Sequence, residues 1–117
     1  MMGALSLRRG RIFVYRGACD MRRSFDRLSC MVKEELKEDP LSGDMFVFLN
    51  RGRRTVKCLV WDKDGYVIWY KRLERGRFSR PRGEGKEVSA VEWMHILEGM
   101  EVNIVKYEPR YIVDGEK

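Results

Sequence analysis

Between Asn50 and Lys86 stand twelve Lys and Arg residues against four acids, a surplus larger than the net charge of +6 carried by the whole 117-residue chain. Everything outside that stretch therefore nets slightly negative. Guanidinium groups present forked donors that match phosphate oxygens, and a cluster of them attracts a polyanion over distance. The candidate contacts fall in three groups: Arg51, Arg53 and Arg54; Lys71 and Arg72; and Arg75, Arg77, Arg80 and Arg82 in a run too rich in glycine to bury them. A solvated, solubilising loop has the same composition. The second cluster at Arg51–Arg54 and the scarcity of acids between the groups favour phosphate binding. Arg22 and Arg23 are a separate case, because they open a predicted helix, where the dipole disfavours cations. They answer either a phosphate or a neighbouring acid such as Asp26.

Catalytic chemistry finds little support, and the sequence reads as non-enzymatic, with no cofactor and no metal. The single histidine, His95, lies within an amphipathic segment and reads as a packed or surface residue rather than a general base. Asp62 and Asp64 have the spacing of a metal pair, yet they sit beside Gly65 as a turn requires. A two-metal nuclease needs further carboxylates converging from rigid elements. Cys19, Cys30 and Cys58 are odd in number and lack CxxC spacing, which argues against a disulfide framework or a zinc site and for reduced thiols in a cytoplasm. Cys58, in mid-strand, reads as packing.

The elements that must position the arginines are legible. Met45–Leu49, Thr55–Trp61 and Tyr66–Leu73 are apolar-rich segments separated by short breaks of glycine and charge, the pattern of an antiparallel meander. Met45–Leu49 shows no polar alternation, so both of its sides are expected to be covered inside a sheet. Asp64-Gly65 supplies the positive φ angles of a tight hairpin turn. Ile12–Tyr15, ended by Gly17, predicts a first strand. Asp20 as N-cap and the stripe Met21, Phe25, Leu28, Val32 and Leu36 predict a main helix, ending near Glu38 ahead of Pro40. Arg75–Lys86 predicts an extended, flexible loop. Ser89 with Glu92 forms a capping-box pattern, Val91, Met94 and Leu97 with Trp93 and Ile96 alongside mark a short second helix, and Gly99 stops it.

Alternation in the second meander strand puts Lys57, Leu59 and Trp61 on one side and Val56, Cys58 and Val60 on the other. Whether the third strand adds Tyr66, Ile68, Tyr70 and Arg72 to the Trp61 face, or Val67, Trp69 and Lys71, depends on the turn. Either set places rings beside Lys57, as single-stranded nucleic acid requires, although rings on a small sheet more commonly belong to the core.

The totals bound the class. A chain of 117 residues with 44% hydrophobic and 36% charged residues is sized for one soluble domain, with a core over about residues 11–100 and a tail or edge strand at 101–117. No apolar run approaches the roughly 18 residues that would span a bilayer, and the first ten residues lack the apolar core of a secretory signal. A pI near 9.4 agrees with a polyanionic partner.

The strings GACDMRRSFDRL (Gly17–Leu28), DPLSGDMFVFLNRGRRTVKCLVWDKDGYVIWYKRLERGRF (Asp39–Phe78) and ILEG (Ile96–Gly99) stand in order over most of positions 5–100. In them the chain resembles the TnpB accessory proteins of the insertion-sequence 66 family of bacterial transposons, which are distinct from the RNA-guided nuclease of the same name. The resemblance implies a small non-catalytic protein that works beside a separate DDE-type transposase, and it carries no established binding residues. Two positions depart from the family pattern. Arg80-Pro81 stands where relatives often have Trp-Pro, which removes an aromatic anchor. The tail is mildly acidic where relatives often end in basic residues, so it is not expected to act as a DNA-binding arm.

The expectation is an α+β fold: a small antiparallel meander packed by one main helix, with a short C-terminal helix. Its expected function is that of a cytoplasmic transposition accessory protein using the nine named cations on DNA at the transposon ends. The rival is an adaptor that binds the transposase without touching DNA, and a nuclease subunit built on Asp62 or Asp64 ranks last.

Overall fold

The computed structural model describes residues 10–99. In chain order they form β1 (Ile12–Val14), α1 (Phe25–Glu34), β2 (Met45–Leu49), β3 (Thr55–Asp62), β4 (Gly65–Arg72), β5 (Glu87–Val88) and α2 (Ala90–Glu98). The predicted tail at 101–117 lies outside the described residues.

The unbroken apolar run of β2 takes the middle of a five-stranded sheet ordered β4-β3-β2-β1-β5. Alternate side chains leave it toward two separate cores. On one face Met45, Val47 and Leu49 meet Val56, Cys58 and Val60 of β3 under Trp93 and Ile96 of α2 and Phe78. On the other, Phe46 and Phe48 meet Leu59 and the Leu28, Met31 and Val32 side of α1, with Phe13 stacked on Phe46 at 5.5 Å. The expected α+β class and meander are present. The sheet is nevertheless mixed, because the chain crosses over through α1 between β1 and β2 and so returns parallel to its start.

Several boundaries differ from the sequence reading. The helix starts at Phe25 with Ser24 as N-cap and no capping side chain. Asp20, the expected cap, instead accepts from the Arg22 amide at 2.9 Å and the Arg22 guanidinium at 2.7 Å, closing a turn ahead of the helix. A short acidic side chain bonding its own backbone two residues on competes with helix initiation. Arg22 thereby pairs with Asp20 rather than with Asp26, and it holds the Asp20 carboxyl well below the usual carboxylate range. The helix also ends early, at Glu34: Lys37 takes a left-handed φ of 58°, and the Glu38 amide turns back to the Val32 carbonyl at 3.1 Å. With Phe25 in the first turn and 44% exposed, the buried stripe is Leu28, Met31 and Val32, an i, i+3, i+4 face.

In α2 the buried pair is Trp93 and Ile96, while Val91 is 79% and Met94 49% exposed. The largest ring on the helix decides which face turns inward. Ser89 caps the helix by accepting from the Glu92 amide at 3.0 Å, as the sequence predicted. The Glu92 carboxylate goes to the Arg82 amide at 2.6 Å rather than back to Ser89. At the other end Gly99 adopts φ 55°, and a Cβ there would lie 2.6 Å from the Arg77 carbonyl oxygen. Gly99→Ala is expected to cost about 2 kcal/mol or more, since the left-handed penalty and a backbone clash add. Urea denaturation of the two proteins measures it.

The β3–β4 register pairs Asp62 with Gly65, so the turn residues are Lys63 and Asp64. Positive φ falls on Lys63, at 58°, not on Asp64-Gly65, because Gly65 already opens β4. That register also decides the open question of faces. Trp61 pairs with Tyr66, Leu59 with Ile68 and Lys57 with Tyr70, so Tyr66, Ile68, Tyr70 and Arg72 share the α1 side, and Trp69 lies with Cys58 on the α2 side.

The Arg75–Lys86 segment is not the loose loop its composition suggests. Phe78 is fully buried, its amide donates to the Arg53 carbonyl at 2.7 Å, and the Ser79 amide donates to the Ile96 carbonyl at 3.1 Å. One ring filling the α2-side core fixes an otherwise polar stretch.

Candidate nucleic-acid interface

Three stretches of chain meet at one end of the sheet: the exit of β1, the β2–β3 hairpin tip, and the segment after Phe78. Main-chain bonds hold them there. The Tyr15 amide donates to the Val47 carbonyl and the Cys19 amide to the Leu49 carbonyl, each at 2.9 Å. At the tip, the Asn50 side-chain oxygen accepts from the amides of Arg54 at 2.9 Å and Thr55 at 3.1 Å, and Arg53 takes a left-handed φ of 56°. Asn50 thus supplies the acceptor that a sharp turn leaves its amides without.

Between these stretches lies a cleft of about 430 Å³ lined by Tyr15, Arg16, Asn50, Arg51, Arg53 and Arg80, with Gly17, Ala18, Leu49 and Pro81 completing its walls. Four arginines line one concavity. Among the described residues no carboxylate lines it, which makes it an electropositive recess of nucleotide scale. Tyr15 stays protonated: its hydroxyl donates to Glu35 at 2.9 Å, which raises its pKa above the ordinary value.

Arg16 is the residue that sequence reading missed. Its Nε and Nη2 donate to the Gly85 carbonyl at 2.9 and 2.7 Å, Nη2 also to the Arg82 carbonyl at 3.0 Å, and Nη1 to the Pro81 carbonyl at 3.3 Å. One side chain so gathers the carbonyls of the basic segment and pulls it against the sheet. The only sequence signal was a cation placed between a strand and Gly17, thirty-odd residues from the cluster it joins.

Of the nine cations predicted as phosphate contacts, Arg51, Arg53 and Arg80 line the cleft; Arg54, Lys71, Arg72, Arg75, Arg77 and Arg82 do not. Lys71 and Arg72 leave β4 on opposite faces, and Arg72 is ion-paired with Glu74 at 3.1 Å. Arg54 and Arg82 stay exposed next to the cleft segments, their carbonyls accepting from the Leu73 amide and from Arg16. Arg75 and Arg77 are exposed on the run leading to Phe78.

Lys57 is 8% exposed and donates to the carbonyls of Met21 at 2.7 Å and Arg23 at 2.6 Å, with the Tyr70 ring 4.9 Å away. Its charge serves the chain ahead of α1, which removes the cation from a stacking platform on this face. Trp61 and Tyr66 contact each other edge to face at 5.0 Å. Lys86 and Arg11 are likewise structural, bridging to Glu38 at 2.7 and 3.8 Å.

Among the described residues no group of three or more His, Cys, Asp and Glu is placed to hold a metal ion; Asp62 ends β3 and Asp64 lies in the β3–β4 turn. Burial pushes the Cys58 thiol far up, which leaves it protonated and unreactive. His95 sits half-exposed in the last turn of α2. No helix among the described residues is long and apolar enough to cross a membrane.

A family model described as IS66 Orf2 like protein matches residues 10–107. Two uncharacterized proteins of Sinorhizobium fredii are similar. One, y4hO, is 37% identical over 93 residues, 78% of this chain and 81% of the relative. The other, y4jC, is 32% identical over 101 residues, 85% of this chain and 86% of the relative. No solved structure matches.

Proposed function

The chain belongs to the IS66 Orf2-like family, and from that premise we propose that it is a non-catalytic accessory protein of insertion-sequence transposition that binds DNA phosphates through the arginine-lined cleft. One observation carries the reading: Arg16, Arg51, Arg53 and Arg80 come from three separate stretches of chain and converge on a single recess that no carboxylate among the described residues lines. Such convergence raises the positive potential at one point far more than the same charges spread over a surface. The expected partners are DNA at the transposon ends and the transposase of the same element, which puts its site of action in the bacterial cytoplasm.

The test is a titration of labelled duplex and single-stranded oligonucleotides. With Arg16 engaged by backbone carbonyls, three phosphate contacts from Arg51, Arg53 and Arg80 on duplex DNA give a logarithmic salt slope of about −2.7, so affinity is expected to fall about 40-fold between roughly 50 and 200 mM salt. Absence of binding at the lower salt rejects this reading.

A second reading, an adaptor docking on the transposase, is favoured by Val91 and Met94 on α2, which are 79% and 49% exposed among the described residues. Co-purification with the transposase that survives nuclease treatment distinguishes it from joint binding to DNA.

A further inference from the structure

The two edges of the sheet are unlike. β5 is two residues long, whereas β4 presents eight, Gly65–Arg72, and its first six carry no charge and no proline. Natural edges are normally blunted by shortness, charge, proline or a bulge. The pairing of β4 with β3 runs unbroken from Asp62–Gly65 to Thr55–Arg72, so no bulge protects it either. Val67 and Tyr70 of this strand are 42% and 55% exposed.

The ladder fixes which backbone groups the edge offers. Beyond the end of β4 the Leu73 amide donates to the Arg54 carbonyl at 2.7 Å. In an antiparallel pair alternate residues bond the same neighbour, so Gly65, Val67, Trp69 and Lys71 bond β3. Tyr66, Ile68, Tyr70 and Arg72 turn their amides and carbonyls outward.

We propose that β4 is a self-pairing surface, on which a second copy of this chain adds its own β4 antiparallel, about a twofold axis through Ile68. A twofold axis perpendicular to the sheet keeps every residue on its own face, so opposed residues must be an even number apart. With Ile68 on the axis, the outward groups of Tyr66, Ile68 and Tyr70 meet those of Tyr70, Ile68 and Tyr66 of the second copy. Val67 then lies opposite Trp69, and Asp64 at the turn lies opposite Arg72.

Charge selects both the occupant and the register. β4 is preceded by an acid at the turn, Asp64, and ends in Lys71 and Arg72, so it is complementary to itself when reversed. Moving the axis to Trp69 sets Asp64 against Glu74, and moving it to Val67 sets Asp64 against Tyr70; of the three, the Ile68 axis is the one that sets Asp64 against a cation. These exposed pairs fix register more than strength. The attraction comes from the main-chain bonds and from covering Val67 and Tyr70.

Sedimentation equilibrium of the full chain from about 10 to 200 µM is the test. A species of about 28 kDa is expected, twice the 13.9 kDa protomer. Asp64→Arg and Arg72→Asp each place like charges opposite one another and are expected to weaken self-association about tenfold or more. An equimolar mixture restores both attractive pairs in a heterodimer and is expected to recover wild-type association, with circular dichroism unchanged throughout. A monomer across the range overturns the proposal, including one whose residues 101–117 occupy the edge. So does a dimer that neither variant weakens, or one that the mixture fails to rescue.

Discussion

Arg51→Ala combined with Arg80→Ala is expected to weaken DNA binding about 10²-fold at roughly 50 mM salt and to make the salt slope shallower by about 2. Each lost contact leaves one counterion condensed on the duplex, and that release is worth most where salt is dilute. The loss should be uniform across DNA sequences, because phosphate contacts position the protein without reading bases. Arg72→Ala is the matched control. It removes the same group from a position that does not line the cleft, where it already pairs with Glu74, and less than about a twofold change is expected. An unchanged slope in the double variant, or an equal loss in the control, would show that general basicity rather than the cleft does the binding.

Phe78→Ala is expected to lower stability by about 3–5 kcal/mol, the cost of deleting a fully buried ring and leaving a cavity. Thermal unfolding should fall by roughly 15 °C or more. The same substitution should weaken DNA binding although no cation is removed, because Phe78 fixes the chain two residues before Arg80 and its amide holds the hairpin tip at the Arg53 carbonyl. Phe78→Leu keeps an apolar anchor, so less than about 1.5 kcal/mol of destabilisation is expected, with binding near wild type. Calorimetry and the oligonucleotide titration together measure both. If Phe78→Ala loses stability yet binds DNA as tightly as wild type, the ring supports the core without positioning the arginines.

The legibility of the fold follows the range of the interactions that make it. The meander was readable because strand pairs joined by short turns are local, and the unpatterned Met45–Leu49 announced a strand covered on both faces. The Ser89 cap and the Gly99 stop were readable for the same reason, each satisfying backbone groups within one helical turn. The start of α1 was misread because Asp20 had two local uses and the turn won. The inward face of α2 was readable in part: Trp93 and Ile96 turn inward with Leu97 packed against the same core, whereas Val91 and Met94, which suit the helical spacing equally well, stay exposed because the space under the sheet chooses the large ring.

The cleft shows the same division. Residue type and clustering along the chain by themselves determined that this protein is basic, that its arginines flank a meander, and that they suit phosphate. Tertiary structure alone decided that Arg51, Arg53 and Arg80 converge, that Arg16 joins them, and that Lys57 is spent on backbone carbonyls while Lys71 and Arg72 part to opposite faces. The physical reason is that charge density is a property of composition, whereas convergence depends on one buried ring at Phe78 and on a parallel β1–β2 pairing between strands more than thirty residues apart.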